Sequence, residues 1–180
     1  MTRTSSGSRG PARLLPEYVS DTNDIPIPGV VALDHTADVG LAITARDLPA
    51  LFRRASLGSI WLVLERQTAH EYGDGDLPPE CVERTVELIA EDLASLLRGW
   101  LRTILFWEES EGFVATDPRV ALVPAPLCGR PDGQAFGLKA RVLGVMDFGP
   151  RIREIKGVTL HGLRVEGGPD GWYAQVIFDV

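Results

Sequence analysis

The chain has 180 residues, 44% hydrophobic and 24% charged, which is the size and composition of one globular domain. Its 25 acidic and 18 basic residues give a formal net charge of −7. This balance disfavours direct, tight binding of a nucleic acid, because phosphate backbones are held by clustered Lys and Arg. The sequence contains neither an apolar run of membrane-spanning length nor a signal-peptide pattern, so we expect a cytoplasmic protein with no membrane contact.

Residues 1–28 are rich in Ser, Gly, Pro and Arg and carry no periodicity, which predicts a flexible leader ahead of a folded domain at 29–180. The first β-rich segments are 30–34 and 39–45, joined by a polar turn. Asp47 then offers a helix N-cap, and apolar residues at helical spacing predict an amphipathic helix over 47–63. A loop is expected at 70–80, where Gly, Pro and Asp are concentrated.

A strand at 81–89 precedes the strongest helix pattern in the chain, at 91–109. Leu97 and Leu101 are expected in the core, acidic residues in the first turn, and Gly112 just past the end. Two short strands are predicted at 113–115 and 120–123, followed by a turn-rich loop at 124–134.

From residue 135 onward the sequence predicts several strands, with a hairpin signal at 166–171. The order of elements is not a regular βαβ alternation. It predicts an α+β single domain in which two main helices pack on a largely antiparallel sheet.

Common catalytic and binding motifs are missing from the sequence. There is no phosphate-binding Gly-rich loop before a helix, no G-x-S-x-G and no H-E-x-x-H. Cys81 and Cys128 lack C-x-x-C spacing, and three dispersed histidines give no zinc pattern. A stand-alone hydrolase is therefore the weakest interpretation of the chain.

The segment DHTADVG, residues 34–40, places Asp34 and Asp38 around a polar turn between two apolar strands. Short polar residues in such a turn usually accept backbone hydrogen bonds. The alternative is that a carboxylate here binds a metal ion or transfers a proton.

The sequence ends in an apolar strand, WYAQVIFDV, with Asp179 and Val180 last. If Asp38 lies nearby, its carboxylate, that of Asp179 and the α-carboxylate of Val180 converge. Oxygen-only ligands of this kind suit Ca²⁺, Mg²⁺ or Mn²⁺. The alternative is a frayed, solvated strand end.

A third feature is EIKGVTLHGLRV, which is predicted to form part of the C-terminal sheet. It carries Lys156 and His161, which could contact a phosphate or lie solvated on the outer face of the sheet.

Three segments together resemble the archease family: DHTADVGL, KGVTLHGL and the terminal WYAQVIFDV. The resemblance runs from about residue 30 to residue 180 and includes the helix DLASLLRGWLRTILF. The leader and the loop at 124–134 are longer than in shorter family members.

The resemblance implies a small α+β protein that is not itself an enzyme. Archeases activate the RtcB-type RNA ligase, which joins RNA ends in tRNA splicing and RNA repair. They promote guanylylation of the ligase and its multiple turnover. A chaperone-like binding module without metal chemistry is the alternative.

The resemblance also implies site residues. The family's metal site, often assigned to calcium, corresponds here to Asp38, Asp179 and Val180. Lys156 matches a position implicated in ligase activation, together with Asp38.

Overall fold

The computed structural model describes residues 25–34, 38–64, 81–126, 134–146 and 151–180. Within these ranges, strands and helices follow one another in this order: β1 (Val30–Asp34), β2 (Asp38–Ala45), α1 (Leu48–Leu64), β3 (Cys81–Ala90), α2 (Leu93–Glu111), β4 (Phe113–Pro126), β5 (Gln134–Met146), β6 (Gly157–Val158), β7 (Arg164–Gly168) and β8 (Gly171–Asp179). The loop predicted at 70–80, most of the leader, and Cys128 lie outside the described residues.

The strands form two antiparallel sheets. The larger has the order β1-β2-β8-β6, with β7 also paired to β8, and the smaller has the order β3-β5-β4. The first and last parts of the chain therefore meet in one sheet, because β2 pairs with β8. The predicted α+β class, with two helices packed on antiparallel strands, is confirmed, and the strands divide into two sheets.

Both helices bury an apolar face in one continuous core. Leu97 and Leu101 are fully buried, as their spacing predicted. Trp100 lies between the helices, and its indole N–H donates to the carbonyl of Phe52 at 3.1 Å. No helix within the described ranges is both long and apolar enough to cross a membrane. The described chain begins at Ile25, whose side chain is also part of the core.

The helix ends follow the predicted capping chemistry. The Asp47 carboxylate accepts from the backbone N–H of Ala50 at 2.8 Å, and Asp92 accepts from that of Ser95 at 2.6 Å. Gly112 ends α2 with a φ of 65°. The expectation of acidic residues inside the first turn of α2 was wrong, because Asp92 is the N-cap and the helix begins one residue later.

The two short strands predicted at 113–115 and 120–123 are one strand, β4. Asp117 and Pro118 interrupt the sequence pattern without ending the strand. The pairing with β5 shifts between Ala115 and Asp117, which marks a β-bulge. Pro118 is tolerated because β4 is an edge strand, where a missing N–H costs no ladder bond. Of the loop predicted at 124–134, residues 124–126 belong to β4 and residue 134 to β5, and the rest lies outside the described residues.

The KGVTLHGL segment also differs from its prediction. Only Gly157 and Val158 pair as strand β6, and the next residues form a turn with a positive φ of 65° at Gly162. The hairpin that follows is confirmed: β7 and β8 pair up to Gly168 and Gly171.

Candidate functional site

The pairing of β2 with β8 brings Asp38 directly opposite Asp179. Their neighbours Val39 and Phe178 are also paired and point into the core. Since successive side chains of a strand alternate between faces, both aspartates lie on the face away from the core. Side chains directly opposite in an antiparallel pair have Cβ atoms about 5 Å apart. The register therefore places these two residues side by side on one face, and their sharing of a metal ion stays a prediction.

Close packing explains why residue 40, two positions after Asp38, is a glycine. A Cβ added at Gly40 would lie 2.8 Å from a methyl group of Ile177 and 3.2 Å from the Cβ of Leu33. The side chains of Ile177 and Leu33 already fill the space that a larger residue at position 40 would need. A side chain at this position would therefore disturb the packing of β1, β2 and β8 next to the aspartates.

Strand β6 places a third residue beside the two aspartates. Gly157 is directly opposite Asp179 on its other side, so Asp38, Asp179 and Gly157 lie across three neighbouring strands. Apart from its two chain neighbours, no described residue has an atom within 4 Å of a Cβ placed at Gly157. Among the described residues, the position beside Asp179 on β6 therefore carries no side chain.

Lys156 is fixed at the same edge by two hydrogen bonds. Its backbone N–H donates to the carbonyl of Asp179 at 2.8 Å. Its ammonium donates to the main-chain oxygen of Val180 at 3.0 Å. The side chain of Lys156 is nevertheless exposed, and contact of its ammonium with a phosphate stays a prediction.

These four residues form what we call the carboxylate edge: Asp38, Lys156, Asp179 and Val180. Asp38 and Val180 are half-buried, whereas Lys156 and Asp179 are exposed. Within the described ranges, no three His, Cys, Asp or Glu side chains cluster closely enough to hold a metal ion. A cation at this edge would need main-chain or carboxyl-terminal oxygen beside the two aspartates. Residues 35–37 of the polar turn lie outside the described residues.

His161, the other basic residue of that segment, is exposed in the turn after β6, where its carbonyl accepts from the Thr159 hydroxyl at 3.3 Å.

The sequence alone did not point to Gly157. A glycine outside a predicted turn gave the only local signal, and its partner strand decides its role.

A second group of charges lies on the smaller sheet. The hydrogen bond from Arg119 lowers the pKa of Asp117, and the hydrogen bond to Glu83 raises the pKa of Arg141. The ammonium of Lys139 lies 2.9 Å from a carboxylate oxygen of Glu87. Exposed pairs of this kind contribute little to stability. Each cation here already has an acidic partner, so this surface is not a strong candidate site.

Comparison with known proteins matches most of the chain. The profile of the Archease protein family (MTH1598/TM1083) matches residues 31–180. The "Protein archease" of Thermococcus gammatolerans is 32% identical over 151 residues, covering 82% of this chain and 95% of that protein. The "Protein archease" of Methanosarcina barkeri is 28% identical over 151 residues, covering 82% of this chain and 93% of that protein.

A solved structure shares the fold. The solution structure of Methanobacterium thermoautotrophicum protein 1598 superposes with a TM-score of 0.62 at 26% identity, covering 84% of this chain and 99% of that one. The family match spans β1 to β8 and includes every residue of the carboxylate edge. The chain is a member of the archease family.

Proposed function

We propose that this protein is a cofactor of an RtcB-type RNA ligase, and that it promotes guanylylation and multiple turnover of that ligase in tRNA splicing or RNA repair. One observation carries the proposal: in an archease-family chain, Asp38 and Asp179 stand side by side with Lys156 bonded next to them. On this proposal the protein acts in the cytoplasm and does not itself join RNA ends.

The carboxylate edge has the donors that a divalent cation prefers. Asp38, Asp179 and the terminal carboxylate of Val180 would hold the ion, and all three offer oxygen only, which suits Ca²⁺, Mg²⁺ or Mn²⁺. With Lys156 counted, these groups leave a net charge of −2, which a divalent ion balances. When bound, such an ion supplies a fixed positive charge that stabilises nearby phosphate oxygens.

The protein's own residues then have separate roles. The two carboxylates on rigid, paired strands fix a position for the ion. The ammonium of Lys156 provides a second fixed positive charge within the same edge, which a phosphate or acidic group of the partner can meet. Gly157 has no side chain beside Asp179, which leaves room for a group of the partner at this position.

The overall charge supports a protein partner over RNA. A net charge of −7 repels a phosphate backbone at long range, whereas a ligase that binds RNA presents basic surface. We expect contact with the ligase and no direct grip on the nucleic acid.

Multiple-turnover RNA ligation at limiting cognate ligase tests the proposal, with ligase guanylylation measured alongside. Asp38→Ala should abolish activation. Lys156→Met should weaken activation while leaving cation affinity by calorimetry nearly unchanged. The matched control is Lys139→Met, which removes the chain's other lysine from the smaller sheet and should activate like wild type.

Circular dichroism of each variant separates a lost site from a lost fold. A folded Asp38→Ala protein that activates as well as wild type would contradict the role of the carboxylate edge. A chaperone-like module that needs only its surface would then be the better explanation.

A further inference from the structure

Helix α2 carries one acidic side chain in its buried face. Glu108 is 3% exposed and follows Leu97, Leu101 and Leu105 at helical spacing. An acidic group in this position is costly unless it is paired, because burial removes its hydration. A carboxylate in an apolar stripe is thus a signal that a specific partner reaches it.

That partner is Arg151. Its Nε lies 2.5 Å from a carboxylate oxygen of Glu108, and a second guanidinium nitrogen donates to the Glu108 carbonyl at 3.3 Å. Arg151 is the first residue of the segment 151–158. Residues 151–156 of this segment are neither helix nor strand and lead to Lys156, and its last two residues form β6. The buried ion pair therefore fixes the start of the segment that presents the lysine.

The other end of the segment is bonded to the same helix. Nε of Arg98, also in α2, donates to the carbonyl of Val158 at 2.8 Å. Arg98 and Glu108 are ten residues apart, or about 15 Å along the helix axis. Residues 151 and 158 are seven apart, so at most about 25 Å of extended chain joins the two anchors. One helix thus contacts both ends of a short segment, and β8 also holds the far end through its pairing with β6.

Packing supports the segment only in part. The side chain of Ile155 is buried, and the N–H of Ile152 donates to the carbonyl of Val63 at 3.1 Å. However, the Ile152 side chain is exposed, and a surface cavity of about 370 Å³ lies between this segment, α1 and α2. Polar anchors consequently matter more here than in a close-packed stretch.

We propose that Glu108, Arg151 and Arg98 are positioning residues: they clamp the 151–158 segment to α2 and so hold the Lys156 ammonium against Val180. The importance of that lysine for a ligase rests on the proposed function above. The clamp itself is a property of this chain and can be measured without a partner.

The chain has only two lysines, Lys156 at the edge and Lys139 on the smaller sheet, and both are exposed. Brief acylation with an amine-reactive ester, followed by mass spectrometry, reports the reactivity of each. The ratio of Lys156 to Lys139 labelling is therefore an internal measure of how firmly Lys156 is held.

Arg151→Met and Arg98→Met each remove one side-chain anchor between the segment and α2, while the pairing of β6 with β8 stays in place. In both variants the labelling ratio should rise about two- to tenfold, the change expected when one hydrogen bond is lost. Activation of the ligase should fall in parallel. Arg98 is only half-buried, so Arg98→Met keeps the test valid if Arg151→Met fails to fold.

The matched control is Arg84→Met. Arg84 pairs with Glu111 of the same helix at 2.5 Å, and its side chain is 21% exposed, against 25% for Arg151. This variant breaks another ion pair of α2, one whose carboxylate is more exposed (39% for Glu111 against 4% for Glu108), away from the 151–158 segment, so it should leave the labelling ratio unchanged.

An unchanged ratio in folded Arg98→Met and Arg151→Met would overturn the clamp, whatever the ligase assay shows. A similar rise in Arg84→Met would also overturn it, because the effect would then be general loosening. A rise confined to the clamp variants supports the proposal even if wild type fails to activate the ligase, and in that case the proposed function fails alone.

Discussion

Replacing Asp38 with Asn should have opposite effects on stability with and without a divalent cation. Asp38 and Asp179 are directly opposite on neighbouring strands. Two charges about 5 Å apart in a water-like dielectric repel by about 0.8 kcal/mol. Asn keeps the shape of the side chain and removes one charge. Without a cation, Asp38→Asn should therefore be as stable as wild type or more stable by up to about 1 kcal/mol, or about 2–4 °C in Tm.

An added cation should reverse this order. At about 100 times its Kd, an ion that binds only the folded protein stabilises wild type by about 2.7 kcal/mol. A tenfold weaker Kd in the variant would reduce that gain by about 1.4 kcal/mol, which exceeds the relief of repulsion.

Thermal unfolding in a chelator measures the effect of the charge repulsion on stability. Repeating it in excess Ca²⁺ or Mg²⁺ measures the stabilisation by the ion. Asp170→Asn is the matched control, because it removes one negative charge from the exposed β7–β8 turn. If Asp38→Asn gains as much stability from the cation as wild type does, Asp38 does not bind the ion. A variant clearly less stable than wild type in the chelator would instead show that the Asp38 carboxylate stabilises its turn.

Three further predictions concern the core, Gly157 and acid stability. Leu101→Ala, at a fully buried position, should lower the free energy of unfolding in urea by about 2–5 kcal/mol; a loss below about 0.5 would contradict its place in the core. Gly157→Leu should fold normally, since apart from its chain neighbours no described atom lies within 4 Å of a Cβ there, yet weaken ligase activation because its side chain stands beside Asp179. The hydrogen bond from Arg119 lowers the pKa of Asp117 below its ordinary 3.8, so this carboxylate stabilises the fold above that pH and the contribution is lost as pH falls through the lowered pKa. Unfolding midpoints of wild type and Asp117→Asn should thus differ above pH 3.8 and converge in acid, and a constant difference would count against the pairing.

The sequence alone determined the elements whose residues interact locally. The helix at 91–109 was predictable because its apolar residues recur every three to four positions, and it was observed as Leu93–Glu111. The face alternation of β8 was also predictable, and Ala174, Val176 and Phe178 do point into the core. Asp38 was a candidate because it lies in the DHTADVG motif, and Asp179 because it lies at the end of the last predicted strand.

Other features depended on which strands pair. Pro118 suggested that the strand ends there, but β4 lies at a sheet edge and continues through this proline as one strand. The division into two sheets and the shortness of β6 likewise have no local signal.

The carboxylate edge itself was decided by tertiary structure. Asp38 and Asp179 lie near opposite ends of the chain, and only the register of β2 against β8 places them side by side. A slip of one residue would turn one of these side chains to the other face, so burial of Val39 and Phe178 fixes the alignment. The pairing of Glu108 with Arg151 is also long-range. Local periodicity reports how a residue relates to its own helix or strand, whereas a site built from several elements exists only once the core has set their registers.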